Sequence, residues 1–221
     1  MSHPLRIKIC GITSEVDAET AAALGADAVG LNFWPQSPRH IDAPTAQKIL
    51  RRLPPFVEPV GVFTNLTPAE MIAQATTVGG LRTLQRHADE HEPADLFPFR
   101  LIDAFQVPGR HTLDHVQGYL ERCRRLGNLP TAIVVDGSAP GQFGGTGQKA
   151  PWQVLAQFHP GVPLILAGGL NPDNVAEAIC TVRPYAIDVA SGVERVPGQK
   201  DPEKVKRFIA NAREAAAKLK D

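Results

Sequence analysis

The sequence predicts an α/β protein of the (β/α)8, or TIM-barrel, class, as a single domain over 1–221. Three observations carry that prediction. Short runs rich in aliphatic and β-branched residues recur about every 20–30 residues, the length of one strand–helix unit. Each run is followed by a stretch with helical patterning, and strands alternating with helices imply a parallel sheet. Eight such units in 221 residues match a compact barrel. The third observation is where the glycines fall. An open doubly wound sheet wants a glycine fingerprint after its first strand. Here the first strand runs into Cys10-Gly11-Ile12-Thr13, and the Gly-rich segments follow strands six to eight.

In chain order the strands are LRIKIC at 5–10, DAVGLNFW at 27–34, VEPVGVF at 57–63, LRTLQRH at 81–87 and FRLIDAF at 99–105. TAIVVDG at 131–137, VPLILAGG at 162–169 and YAIDVAS at 185–191 complete the set. Helices are expected near 14–25, 44–53, 67–77, 88–95, 111–126, 151–157, 171–181 and 201–219. Thr67-Pro68-Ala69-Glu70 and Asn171-Pro172 each place a capping residue before a proline at the first helical position. The fourth stretch, HADEHEPAD, is short and proline-terminated.

Composition narrows the function classes. With 43% hydrophobic and 21% charged residues the chain has the material for a packed core. Lys plus Arg and Asp plus Glu both number 23, so no overall basic field draws nucleic acid or an anionic membrane. A local anion site stays open. No apolar run approaches the roughly 18–20 residues of a membrane span, and MSHPLRIKICGIT lacks the apolar stretch of a signal peptide. The expected location is the cytoplasm. Cys10, Cys123 and Cys180 form no CxxC pair, so neither a disulfide framework nor a structural zinc site is expected.

A barrel of this class works at the C-terminal ends of its strands, and that address selects the candidates. Ala167-Gly168-Gly169-Leu170 follows strand seven and Ala190-Ser191-Gly192-Val193 follows strand eight. Small residues there let backbone N–H groups approach an anion, and phosphate binding after strands seven and eight recurs in this fold. Cys10 ends strand one; Cys123 and Cys180 sit on outer helices and read as structural. Asp136 closes the apolar run of strand six, where a carboxylate is costly to bury without a partner or a task. The glycines of 137–147 describe a mobile lid. Arg39, just past strand two, is suited to a carboxylate or phosphate. Gln85 and His87 alternate on strand four and share its inward face, His87 either as a ligand contact or as a structural histidine.

Together these segments resemble the phosphoribosylanthranilate isomerase family of the tryptophan pathway, in the same order over nearly the whole chain. The resemblance rests on KICGIT at 8–13, GADAVGLNFWPQSPRHI at 25–41, VGVFTN at 60–65 and VVDGSAPGQFGGTGQKAPW at 134–152. LAGGLNPDNVAEAI at 166–179 and DVASGVERVPGQKD at 188–201 extend it. It implies an Amadori rearrangement of a phosphorylated aminosugar, with Asp136 as general acid, Cys10 as general base and Arg39 on the anthranilate carboxylate. Gln85 and His87 match the family pattern as further substrate contacts, and Asp188, reached from strand alternation, is a further candidate facing the substrate nitrogen. Gly168, Gly169, Ser191 and Gly192 form the implied phosphate site. No metal or organic cofactor is implied, because the substrate nitrogen serves as electron sink. The chemistry asks for an Asp136 that holds its proton near neutrality. It asks either for a Cys10 thiol of depressed pKa or for a transfer eased by desolvation. One departure stands out: where the family reads Gln-Leu-His-Gly, this chain reads Gln85-Arg86-His87-Ala88. A fourth unit that is rearranged or more solvated is therefore expected.

Two other functions fit parts of the pattern. A histidine-pathway aminoaldose isomerase would resemble this chain but carry a carboxylate where Cys10 stands, and a non-catalytic phosphate-ligand sensor would not require Cys10, Asp136 and Arg39 together. Oligomeric state is left open. Strand alternation makes one further expectation. If Cys10 points inward, so does Lys8, and Asp188 on strand eight would meet it once the barrel closes.

Overall fold

The computed structural model describes residues 4–137 and 152–219. Eight strands pair in parallel and in chain order: β1 (Arg6–Cys10), β2 (Ala28–Asn32), β3 (Glu58–Thr64), β4 (Thr83–His87), β5 (Arg100–Gln106), β6 (Ala132–Asp136), β7 (Leu164–Ala167) and β8 (Ala186–Val189). β8 pairs back onto β1, with Lys8 opposite Asp188, and the sheet closes into the expected barrel.

The period-two alternation of each strand divides its side chains between two cores. Val60, Ile102, Ala104, Ala132, Val134, Ile165, Ala167 and Ala186 pack inside the barrel. The intervening residues, among them Ile7, Ile9, Val29, Leu31, Ile133 and Val135, face outward into the larger core beneath the helices. This arithmetic aims the functional side chains: Lys8 and Cys10 share a face, as do Gln85 and His87, and Val134 and Asp136.

The outer layer consists of α1 (Glu15–Ala23), α2 (Ala43–Leu50), α3 (Pro68–Val78), α4 (Arg110–Leu126), α5 (Trp152–Leu155), α6 (Val175–Val182) and α7 (Pro202–Lys218). Thr67 caps α3 as expected, and with Glu70 it completes a capping box: its side chain accepts from Glu70 N at 3.3 Å, and its own N–H donates to Glu70 Oε2 at 2.8 Å. After β8 the chain makes a 3-10 turn, Ser191–Val193, and then a hairpin of β9 (Glu194–Val196) and β10 (Gln199–Lys200).

Two expected elements differ. Asn171 does not cap a helix directly. Its side chain accepts from Asp173 N and Asn174 N, holding a turn, and α6 starts only at Val175. The short polar side chain satisfies a local turn as well as a helix end, which is why the two look alike in sequence.

The helix expected at 88–95 is absent. Arg86 points outward from β4, and its Nε donates to Asp103 Oδ1 at 2.7 Å. Its Nη2 donates to Tyr119 Oη at 3.2 Å and to the Glu92 carbonyl at 3.1 Å. A buried guanidinium needs acceptors, and helix carbonyls are spent on their own ladder, whereas an irregular segment has carbonyls to offer. The fourth unit is thus rearranged but not solvated: Arg86 is 4% exposed. His91 fills the same space, its ring centroid 4.2 Å from that of Phe105 and tilted to it by 34°.

Candidate active site

One pocket at the C-terminal end of the barrel is lined by Cys10, Arg39, Gln85, His87, Asp136, Asp188, Gly168, Gly169 and Ser191. Every site residue expected from sequence is there except Gly192, which backs the pocket. A Cβ on Gly192 would lie 1.9 Å from the Leu170 carbonyl oxygen, so only glycine lets the turns after β7 and β8 close on each other. Gly168 and Gly169 take φ of +88° and +64°, the left-handed region that glycine enters without strain. The lid segment at 137–147 lies outside the described residues beyond Gly137.

Glycines also make room for the Cys10 and Asp136 side chains. Cys10 pairs with Gly30 across β1 and β2, and a Cβ there would stand 2.6 Å from Sγ. Gly168 does the same for Asp136, whose Oδ1 is 2.7 Å from where a Cβ would be. Asp136 itself is buried at the end of β6.

Burial pushes the Cys10 thiol above its ordinary range. Lys8 and Lys200 pull the other way and Asp188 adds to the rise. Of the two ways the sequence left open for Cys10 to act, the depressed pKa does not hold. A desolvated transfer does fit.

Beneath Cys10, Lys8 Nζ lies 2.7 Å from Asp188 Oδ2, as strand alternation predicts, and 3.0 Å from Gln85 Oε1. The Gln85 amide nitrogen is 2.8 Å from His87 Nε2. The ammonium can only donate, which orients the Gln85 amide and makes His87 Nε2 the acceptor. Burial, together with Lys8 and His91, drives the His87 pKa down to about 3, so its ring is neutral. Asp188 Oδ1 is buried on the pocket wall with no hydrogen-bond partner among the described residues.

Arg39 is carried by the loop after β2, which Ser37 pins by accepting from Asn32 Nδ2 and Arg39 N at 3.2 and 3.1 Å. Sequence reading missed its partner. Arg39 Nε and Nη2 donate to Glu194 Oε1 and Oε2 at 2.8 and 2.7 Å, and Lys200 Nζ donates to Glu194 Oε1 at 2.8 Å. The segment VERVPGQKD showed both charges, but nothing local in it says that a hairpin folds them back over β1 and β2. Among the described residues no cluster of three or more His, Cys, Asp or Glu is placed to hold a metal. No described helix is long and apolar enough to cross a membrane.

The family model for N-(5'-phosphoribosyl)anthranilate (PRA) isomerase matches residues 7–211. The protein named N-(5'-phosphoribosyl)anthranilate isomerase in Trichlorobacter lovleyi is 45% identical over 213 residues, 96% of this chain and 99% of that one. Its namesake in Acidithiobacillus ferrooxidans is 46% identical over 211 residues, 95% of this chain and 98% of that one. Phosphoribosyl anthranilate isomerase from Thermotoga maritima superposes with a TM-score of 0.83 at 38% identity, over 95% of this chain and 99% of that one. A structure of phosphoribosyl anthranilate isomerase in complex with reduced 1-(o-carboxyphenylamino)-1-deoxyribulose 5-phosphate gives 0.79 at 37% identity, with 95% and 99% covered. Full-length relatives at this identity, sharing the barrel and matching the family model, lead to one conclusion: this chain belongs to the N-(5'-phosphoribosyl)anthranilate isomerase family.

Proposed function

We propose that this chain catalyses the Amadori rearrangement of N-(5-phosphoribosyl)anthranilate to 1-(2-carboxyphenylamino)-1-deoxyribulose 5-phosphate, in the cytoplasm, as a step of tryptophan biosynthesis. The observation that carries the reading is one pocket holding a buried carboxyl on β6, a thiol on β1 and two glycine turns after β7 and β8.

Asp136 protonates the ribose ring oxygen; the C1–O bond breaks and the nitrogen lone pair forms an iminium. Cys10, reacting as its thiolate, removes the C2 proton and becomes the thiol, and the electron pair of that C–H bond flows to the iminium nitrogen, giving an enolamine. Tautomerisation to the ketone completes the reaction with no net change in atoms or oxidation level. Cys10 is partly exposed to the pocket; bound substrate displaces water from that side, and a desolvated thiolate is a stronger base than a solvated one. Arg39 binds the anthranilate carboxylate. Backbone N–H groups at Gly168, Gly169, Ser191 and Gly192 receive the phosphate. Asp188 Oδ1, a buried acceptor without a partner among the described residues, takes the substrate N–H, while Gln85 and His87 line the ribose side.

The test is turnover of freshly prepared phosphoribosylanthranilate, followed by loss of its fluorescence. The expected outcome is first-order decay proportional to enzyme. A folded sample that binds phosphorylated ligands without decay would replace this reading with that of a sensor.

A further inference from the structure

We propose that Glu194 and Lys200 form a positioning device that makes Arg39 one-sided, so that an aryl carboxylate engages only the end of its guanidinium facing the pocket. The proposal rests on Arg39 as the carboxylate-binding residue and names the residues that set the angle and charge of that contact.

A guanidinium offers five N–H donors in a planar fork. Glu194 takes one along each of Nε and Nη2, at 2.8 and 2.7 Å, so that whole edge is spent. The donors left over are both on Nη1 and the second on Nη2. Among the described residues they have no side-chain acceptor, and Arg39 lines the same pocket as Cys10. The stem lies against Gly11, where an added Cβ would stand 2.4 Å from its Cδ, so only glycine at that position lets the stem take this path. Gly11 adjoins Cys10, so the direction of the fork is tied to the position of the base.

Charge completes the argument. Glu194 alone would cancel Arg39 and leave a neutral pair with little attraction for a second carboxylate. Lys200 Nζ at 2.8 Å from Glu194 Oε1 restores the balance: two cations and one anion leave one positive charge at the pocket wall. Glu194 and Lys200 are 6% and 3% exposed, so solvent screens the triad little. The Gly198 N–H at 3.3 Å from Glu194 Oε1 and the Ala190 carbonyl at 3.3 Å from Lys200 Nζ tie the device to the hairpin and to the turn after β8. A hairpin that only needed fastening would be held as well by apolar residues, without desolvating three charges.

The experiment compares kcat and KM on phosphoribosylanthranilate with those on the same aminosugar built from aniline, which lacks the carboxylate. For Glu194→Ala, kcat on the carboxylated substrate is expected to fall about 10²-fold, since the carboxylate can then take the freed edge and misplace C2 relative to Cys10. KM should not rise, because removal of the anion leaves two positive charges to attract the carboxylate. On the aniline substrate kcat should be unchanged. Glu194→Gln, which keeps one acceptor oxygen, should recover part of the loss, and it carries the test if the alanine variant does not fold. Lys200→Met should show the opposite split, with KM raised about tenfold on the carboxylated substrate only. Equal kcat losses on both substrates, or no loss, would overturn the device. Arg39→Ala run in parallel separates the two ideas. If it fails to distinguish the substrates, the reading of Arg39 falls and the device with it; if it distinguishes them while the Glu194 variants do not, only the device falls.

Discussion

His87 is buried against Lys8 and bonded to Gln85, and its pKa is held down to about 3 by that burial and that cation. An unfolded histidine titrates near 6.5. Between those values the unfolded chain binds a proton that the folded chain refuses, so the stability present above about pH 6.5 is lost as the pH falls through the window. At pH 5.5 the loss from this ring is about 1.4 kcal/mol. Urea unfolding at pH 7.5 and 5.5 should therefore show a drop smaller by that amount in His87→Asn than in the wild type. His91, also shifted down by burial, contributes in the same direction to both proteins and cancels from the comparison. Equal drops would mean that His87 is protonated in the fold. The proposed roles of Asp136 as acid and Cys10 as base make a second prediction at this scale. Asp136→Asn and Cys10→Ala should each lower single-turnover kcat by at least about 10²-fold, the usual contribution of general acid–base catalysis, with little change in affinity. Near-wild-type chemistry in either variant would remove that residue from the mechanism.

The fourth strand–helix unit shows how one side chain remodels an element. Arg86 and Asp103 face each other in register across β4 and β5, and Tyr119 Oη on α4 donates to Asp103 Oδ2 at 2.5 Å. Burial and the adjoining Asp103 charge push the Tyr119 hydroxyl well above its usual range, so it stays a donor. Arg86→Leu restores the residue type the family usually has, yet it should destabilise this chain by about 3 kcal/mol, because Asp103 would be left as a buried charge without its cation. Adding Asp103→Leu should recover most of that loss. A single variant as stable as the wild type in urea unfolding would show that the pair is energetically idle. The substitution at 86 was legible in the sequence as a departure. A rearranged fourth unit was one of the two outcomes expected from it, but the loss of the helix at 88–95 was not, since helical patterning over eight residues says nothing about a buried guanidinium in need of a carbonyl.

Closure of the barrel is the event that assembles the site. Lys8 and Asp188 are 180 residues apart in sequence and meet across the β1–β8 seam at 2.7 Å. Lys8→Met would leave Asp188 buried without its cation, and a loss of about 3 kcal/mol is expected, with an unchanged denaturant slope because the same surface is exposed on unfolding. A variant with wild-type stability would show that the seam closes without this pair. What the sequence by itself determined is everything that follows from local periodicity and from the address of a residue on its strand. That covers the eight strands, the inward face of each, the placement of Cys10, Asp136, His87 and the glycine turns at one end, and the register of Lys8 with Asp188. These depend on alternation along a strand and on the order of strands, both written in short stretches of chain. Only the tertiary structure decided that Glu194, 155 residues beyond Arg39, would grip it, that Lys200 would offset Glu194, and that Arg86 would take a loop carbonyl in place of a helix. Ion pairs of this kind are chosen by three-dimensional proximity and by the cost of leaving a buried charge alone, and neither quantity exists until the barrel has closed.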